Sequence, residues 1–364
     1  MERIWNTSPT LHTKQTAGVD STGSCAPASV ALQDPELQQI RLRYRLATPT
    51  FATLCTISKA PDRGQVLQKA CLATELRSFP LRRGEKGLFR EVNDHLPIPY
   101  PIKENLSEPW HKAFLLVQLR LQCIPWPNKL AVEARHQLYG ERKRMDSIIE
   151  TALRCIVDIL GSRRDGRGVG VALDVLRSVM AGVWEGSDNE LLQIEGIGPQ
   201  RKERLIEANV KTVKELTRLD FWHIERLLSR NPPFGQQMLH KLAGFPLLTL
   251  QVELVQNSSR PQVEPVLDHG CGLRPPSRAA WIARMTLNYE NKAPPSWGKN
   301  TPWTTVMIEG DDGRLMYFWR GSVKRLTGGK ELITSLDPKK REELKVTFAC
   351  EGIVGTIVRM THQV

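Results

Sequence analysis

The chain contains no C-x-x-C pair. Its seven cysteines, Cys25, Cys55, Cys71, Cys123, Cys155, Cys271 and Cys350, are odd in number and widely scattered. That pattern excludes the disulfide framework of a small secreted domain and suits a reducing compartment. None of the eight histidines belongs to a metal-spaced cluster, and His269-Gly-Cys271 stands alone in a Pro/Ser/Gly-rich stretch, so zinc is unsupported. No G-x-x-x-x-G-K-[ST] loop occurs. Thr327-Gly-Gly-Lys330 is a fragment of one, with Glu331 where a magnesium-binding hydroxyl is needed, so this chain is not expected to hydrolyse ATP by itself. No apolar run approaches the roughly 18 residues that span a bilayer, and the N-terminus lacks the apolar core of a secretory signal. An intracellular protein without membrane contact is the expectation.

What is present is basic and unevenly organised. Lysine and arginine total 51 against 39 acidic residues, a net charge of +12. That surplus favours polyanionic partners, although cations spread over many helix faces often only maintain solubility. With 364 residues, 40% of them hydrophobic, there is room for two or three domains with real cores.

Met1 to Gln33 lacks apolar periodicity and reads as a disordered leader. From Pro35 onward the spacing is helical. Between Glu141 and Leu160, Met145, Ile148, Ile149, Ala152, Ile156 and Ile159 form one stripe, and a second helix is expected over Val169 to Trp184. The prolines of Leu96-Pro-Ile-Pro-Tyr-Pro-Ile102 force an extended connector. Asp188 to Gly244 reads as small helices, with Asn209 as a left-handed end, a Thr212 to Glu215 capping box, Asp220 as a cap and a stop before Pro232-Pro233. After Pro246 the period shortens. Strands are expected at Leu248 to Leu254, Ala283 to Tyr289, Thr304 to Ile308, Leu315 to Trp319, Leu344 to Ala349 and Gly355 to Met360, with a turn at Asp311-Asp-Gly313 and a linker over Asn257 to Ser277.

One stretch points directly to chemistry. In Leu192-Gln-Ile-Glu-Gly-Ile-Gly-Pro-Gln-Arg-Lys202, a Gly-hydrophobic-Gly turn joins two helical patterns, as in a helix-hairpin-helix. Gly196 and Gly198 can bring backbone N–H groups to a phosphate, with Ile197 between them, Pro199 at the first helical position and Arg201 and Lys202 adding charge. Such contacts carry no base information. The alternative is an ordinary turn in a helical bundle, and Glu195 places a carboxylate in the hairpin. Asp220, the nearest carboxylate that could serve a base-excision enzyme, reads better as a helix cap. Arg177 and Trp184, a heptad apart, could form a ladder against stacked bases, but the residues alone favour a surface arginine and a partly buried tryptophan. Tyr317, Trp319 and Trp303 likewise read as core before base platforms.

Several colinear stretches resemble the C-terminal region of Ski-like superfamily-two helicases, in particular the meiotic crossover DNA helicase family. They are Arg82 to Asn93, Pro101-Ile-Lys103, Arg154 to Asp158, Ala172 to Trp184, His223-Ile-Glu225, Leu228-Ser-Arg-Asn-Pro-Pro-Phe-Gly235, Asp312 to Leu315, Gly328 to Glu331 and Ala349 to Gly355. The resemblance implies an α+β multidomain chain of the Sec-sixty-three type. It comprises a leader (1–34), a helical ratchet domain (35–187), a helix-hairpin-helix (188–246) and an immunoglobulin-like β-sandwich (247–364) with a disordered insertion near 257–278. It also implies that Arg177 and Trp184 touch DNA, that recombination proteins dock on the sandwich and that the protein is nuclear. Partners would be single-stranded or branched DNA. No cofactor is expected here, ATP and magnesium belonging to the helicase lobes of full-length members. Glu195 replaces the family's usual hairpin proline and Gly182 a common basic residue. The alternatives are a protein-interaction module without DNA binding and the tail of an RNA-helicase relative.

Overall fold

The computed structural model describes residues 3–5, 34–256, 281–298, 301–339 and 341–364. The expected insertion near 257–278 therefore lies outside the described residues, as does the expected leader apart from residues 3–5 and 34. Residues 3–5 are strand β1 (Arg3–Trp5), paired antiparallel with a strand more than 300 positions later, Ile4 opposite Trp319.

Seven helices follow: α1 (Pro35–Tyr44), α2 (Thr48–Cys55), α3 (Arg63–Cys71), α4 (Lys86–His95), α5 (Pro109–Leu121), α6 (Val132–Ser162) and α7 (Gly166–Ala181). Three of them start at an aspartate cap. Asp34 caps α1 ahead of Pro35, Asp62 and Gln65 form a reciprocal capping box on α3, and the Asp165 carboxylate accepts from the Gly168 N–H at 2.9 Å. Helix α6 buries Met145, Ile149, Ala152, Ile156 and Ile159, most of the expected stripe, and Ile148 is half-buried beside them. Helix α5 is apolar nearly all round and sits inside the bundle, where its three buried polar groups are paired, His111 with Glu104 at 2.8 Å. Gln118 exchanges hydrogen bonds with the Tyr100 backbone, at 2.8 Å to its N–H and 3.0 Å to its carbonyl, which pins the proline-rich connector. Lys112 lies 2.8 Å from both Glu85 and Glu141.

Helix α7 ends earlier than the periodicity predicts. Gly182 adopts φ +78°, a left-handed C-terminal cap, so Trp184 lies beyond the helix and not on its face. Four short helices come next, α8 (Pro199–Glu207), α9 (Val213–Leu216), α10 (Phe221–Leu228) and α11 (Phe234–Leu242). Asn209 is left-handed, Thr212 and Glu215 form the capping box, and Asp220 accepts from the His223 N–H at 2.7 Å.

The remaining strands are β2 (Leu248–Gln256), β3 (Trp281–Tyr289), β4 (Trp303–Glu309), β5 (Leu315–Ser322), β6 (Lys330–Leu336), β7 (Glu343–Cys350) and β8 (Val358–Gln363). They form two antiparallel sheets, ordered β1-β5-β4-β7-β8 and β2-β3-β6, which share one apolar core with α8, α10 and α11. Helices and strands thus fall in blocks, the order of an α+β fold. Strand β6 was not anticipated: its buried Leu332, Thr334 and Leu336 alternate, but exposed Ile333 blurs the pattern. The first core, built from α1 to α7, reaches Met307, Leu315 and Phe318 of the larger sheet, so that sheet packs against α7. No helix among the described residues is long and apolar enough to cross a membrane.

Candidate nucleic-acid interface

The turn between Ile194 and Pro199 is built as its residue types require. Gly196 takes φ +99°, a conformation that L side chains rarely adopt. Ile197 is 5% exposed and anchors the turn in the core, and its N–H donates to the Ile194 carbonyl at 3.0 Å. That N–H is therefore committed within the fold, contrary to the expectation that Ile197 serves a ligand. Gly198 is extended, with no side-chain cap, and Pro199 opens α8. The Gly198, Gln200 and Arg201 N–H groups, lying before the first full helical turn, point out of the helix end. A Cβ placed on Gly198 would meet nothing within 4 Å, so the space beside the first residue of this helix end is open.

Cations surround the opening. The Arg201 guanidinium donates to the Gly196 carbonyl and lies 5.2 Å from the centre of the Phe234 ring. Arg230 approaches the same ring at 5.9 Å. Lys202 turns away, donating to Asn189 Oδ1 at 2.9 Å. Glu195 is exposed and paired with Lys241 at 3.1 Å, which offsets the carboxylate that the sequence places in the turn. Phe234, Arg230 and Lys241 were not legible as site residues, because they come from α11 and the turn before it, far downstream of the glycine turn but brought beside Arg201 and Glu195 by packing.

Arg177 and Trp184 are not at this surface. Arg177 is 1% exposed: its Nε–H donates to the Cys350 carbonyl at 2.7 Å, and Nη1 lies 2.9 Å from Asp174 and 3.2 Å from Glu185. Trp184 is 7% exposed and meets Tyr100 edge to face at 6.1 Å. The expected ladder is corrected on both counts, since a buried arginine is stable only when its charge is paired, and here every partner is protein. Tyr317 and Trp319 are core, while Trp303 is 41% exposed. Burial pushes the neighbouring Cys350 thiol up to about 12 despite Arg177, so it is protonated at neutral pH.

Of groups that could hold a metal, the carboxylates of Asp311, Asp312 and Glu342 lie within 4.8 Å of one another. Two of the three are paired with cations, Asp312 with Lys339 at 2.7 Å and Glu342 with Arg314 at 3.1 Å.

The "Probable ATP-dependent DNA helicase HFM1" of Homo sapiens is 21% identical over 90% of this chain and 22% of its own length. The "ATP-dependent DNA helicase MER3" of Saccharomyces cerevisiae is 24% identical over 81% of this chain and 24% of its own. The "Probable ATP-dependent DNA helicase HFM1" of Mus musculus is 21% identical over 63% and 16% respectively. The chain thus spans at most about a quarter of these relatives. A family model described as the Sec63 Brl domain matches residues 36–361, from the first turn of α1 into β8, and the chain belongs to that family.

Proposed function

We propose that this chain is a nucleic-acid-gripping region of a helicase of the HFM1/MER3 kind, holding the backbone of single-stranded or branched DNA without sequence specificity. In this reading residues 35–187 are the ratchet domain, 188–246 a helix-hairpin-helix, and the two sheets an immunoglobulin-like sandwich. The carrying observation is the start of α8, where outward N–H groups, a glycine at φ +99° and Arg201 converge on an open space. The relatives are named as DNA helicases, which favours DNA over RNA as ligand and the nucleus as location. Energy would come from ATPase lobes that this sequence does not contain, and ATP and magnesium would belong to those lobes.

The test is fluorescence anisotropy with a labelled single strand, a fork and a duplex over a salt series. Binding should weaken steeply with salt, and Gly198→Val should weaken it on every substrate while leaving the unfolding transition in place. Salt-independent binding, or affinity unchanged by Gly198→Val, would overturn the reading.

A second reading, a protein-interaction module whose hairpin is only scaffold, is favoured by the burial of Arg177 and Trp184, which leaves α7 without an exposed cation–aromatic ladder. Recombination proteins docking on the sheets would then be the partners. Absence of nucleic-acid binding by a folded chain that captures such a partner would decide for it.

A further inference from the structure

We infer that α10 and the turn after it form a track for unpaired bases, in which Trp222 is the stacking platform and Arg226 and Arg230 hold the flanking phosphates. The inference rests on the nucleic-acid reading above and names the part of the surface that distinguishes a single strand from a duplex.

Helix α10 buries Ile224, Glu225 and Leu228 and turns Trp222, His223 and Arg226 to solvent. Trp222 is 64% exposed, an uncommon position for the largest apolar side chain, and its only ring neighbour among the described residues is Phe221, tilted at 4.7 Å. Arg226 stands four positions on, on the same helix face. Neither Arg226 nor Arg218, in the turn ahead of the helix, has an ion-pair partner among the described residues. Both carboxylates of this segment are engaged by backbone N–H groups, and exposed Asp220 stands at the start of the helix. Asp220 caps the helix at the His223 N–H, and buried Glu225 accepts from the Gly235 N–H at 2.8 Å. The exposed face therefore carries an aromatic ring and uncompensated positive charge.

The track is continuous with the hairpin. Ser229 ends α10 in a left-handed conformation, φ +50°, and Arg230 and Arg201 share the Phe234 ring at 5.9 and 5.2 Å. Arg204 of α8 donates to the Leu228 carbonyl at 3.2 Å, which fixes the two helices together. A strand held at the α8 terminus can thus pass over Phe234 and Arg230 onto α10. An aromatic ring flanked by cations suits a polyanion whose bases are free to stack, that is, single-stranded nucleic acid, whereas the ring adds nothing for a duplex whose bases are already stacked.

The experiment compares the full chain with Trp222→Ala, Arg226→Ala and Gly198→Val, using a fluorescent oligothymidylate and a blunt duplex. Trp222→Ala should lose about tenfold in affinity for the single strand and little for the duplex, because one base–aromatic stack is forfeited. Arg226→Ala should weaken both and make the salt slope shallower by a little under one unit, the share of one phosphate contact. If Gly198→Val loses binding while Trp222→Ala does not, the hairpin grip stands and the track is wrong. If the wild-type chain binds neither oligonucleotide, both fall, and retention of an acidic peptide through Trp222 would reassign the face to a protein partner. Trp222 is exposed, so its replacement leaves the core intact.

Discussion

The Nε–H of Arg177 donates to the backbone carbonyl of Cys350 at 2.7 Å, across 173 positions of sequence. This contact ties α7 to β7, and with Asp174 and Glu185 on the other side of the guanidinium it makes Arg177 a structural pin between the helical bundle and the larger sheet.

Arg177→Ala should therefore act on stability. It strands a carboxylate at Glu185, 9% exposed, and removes a buried donor, a class of change that costs about 3–5 kcal/mol. Urea unfolding should show that loss. Oligonucleotide affinity, measured where the variant is still folded, should stay within about twofold; a large selective loss of DNA binding in a fully folded variant would contradict the burial.

Gly196→Ala should cost about 1–2 kcal/mol, because alanine pays the steric penalty of a positive φ that glycine avoids. Gly198→Ala, at an extended backbone with open space above it, should be nearly neutral for folding. Paired thermal melts of the two variants read this difference directly.

Glu195→Gln should strengthen nucleic-acid binding. It removes a negative charge from the turn and releases Lys241, now held at 3.1 Å, for phosphate. The expected sign is a lower Kd at low salt together with a steeper salt slope; an unchanged slope would show that Lys241 does not reach the ligand.

Acid should loosen the helical bundle through Glu141. Burial pushes its carboxyl up, but hydrogen bonds from Arg82 and Lys112 outweigh that and hold it below its ordinary value of 4.5. A depressed carboxylate contributes stability that is present above the unfolded value and lost as pH falls through the folded one. Denaturant midpoints should decline below about pH 4.5, and Glu141→Gln should flatten that decline while lowering stability at neutral pH. Lys112, with no exposed side-chain surface, makes the same network sensitive: Lys112→Met should cost less than Lys112→Ala because the methionine fills the space.

Much of the local structure was legible. The caps at Thr212 and Asp220 are short-range hydrogen bonds between residues three apart, and such bonds form wherever the spacing occurs. The proline connector and the α6 stripe are equally local. Gly182 shows where that reasoning fails. An apolar period continued to Trp184, yet a glycine in the left-handed region ended α7 first, and the tryptophan then turned inward against Tyr100.

The sequence by itself determined the α+β order, the capped starts of the short helices at Thr212 and Asp220 and the glycine turn, because capping, backbone sterics and hydrophobic period act over a few residues. The tertiary structure alone decided which cations face solvent. Arg177 carries the same charge as Arg226, but the larger sheet closes over the first and nothing among the described residues covers the second. Desolvation obliges a buried guanidinium to spend every hydrogen bond inside the fold, and which arginine is buried depends on contacts between segments more than 100 positions apart.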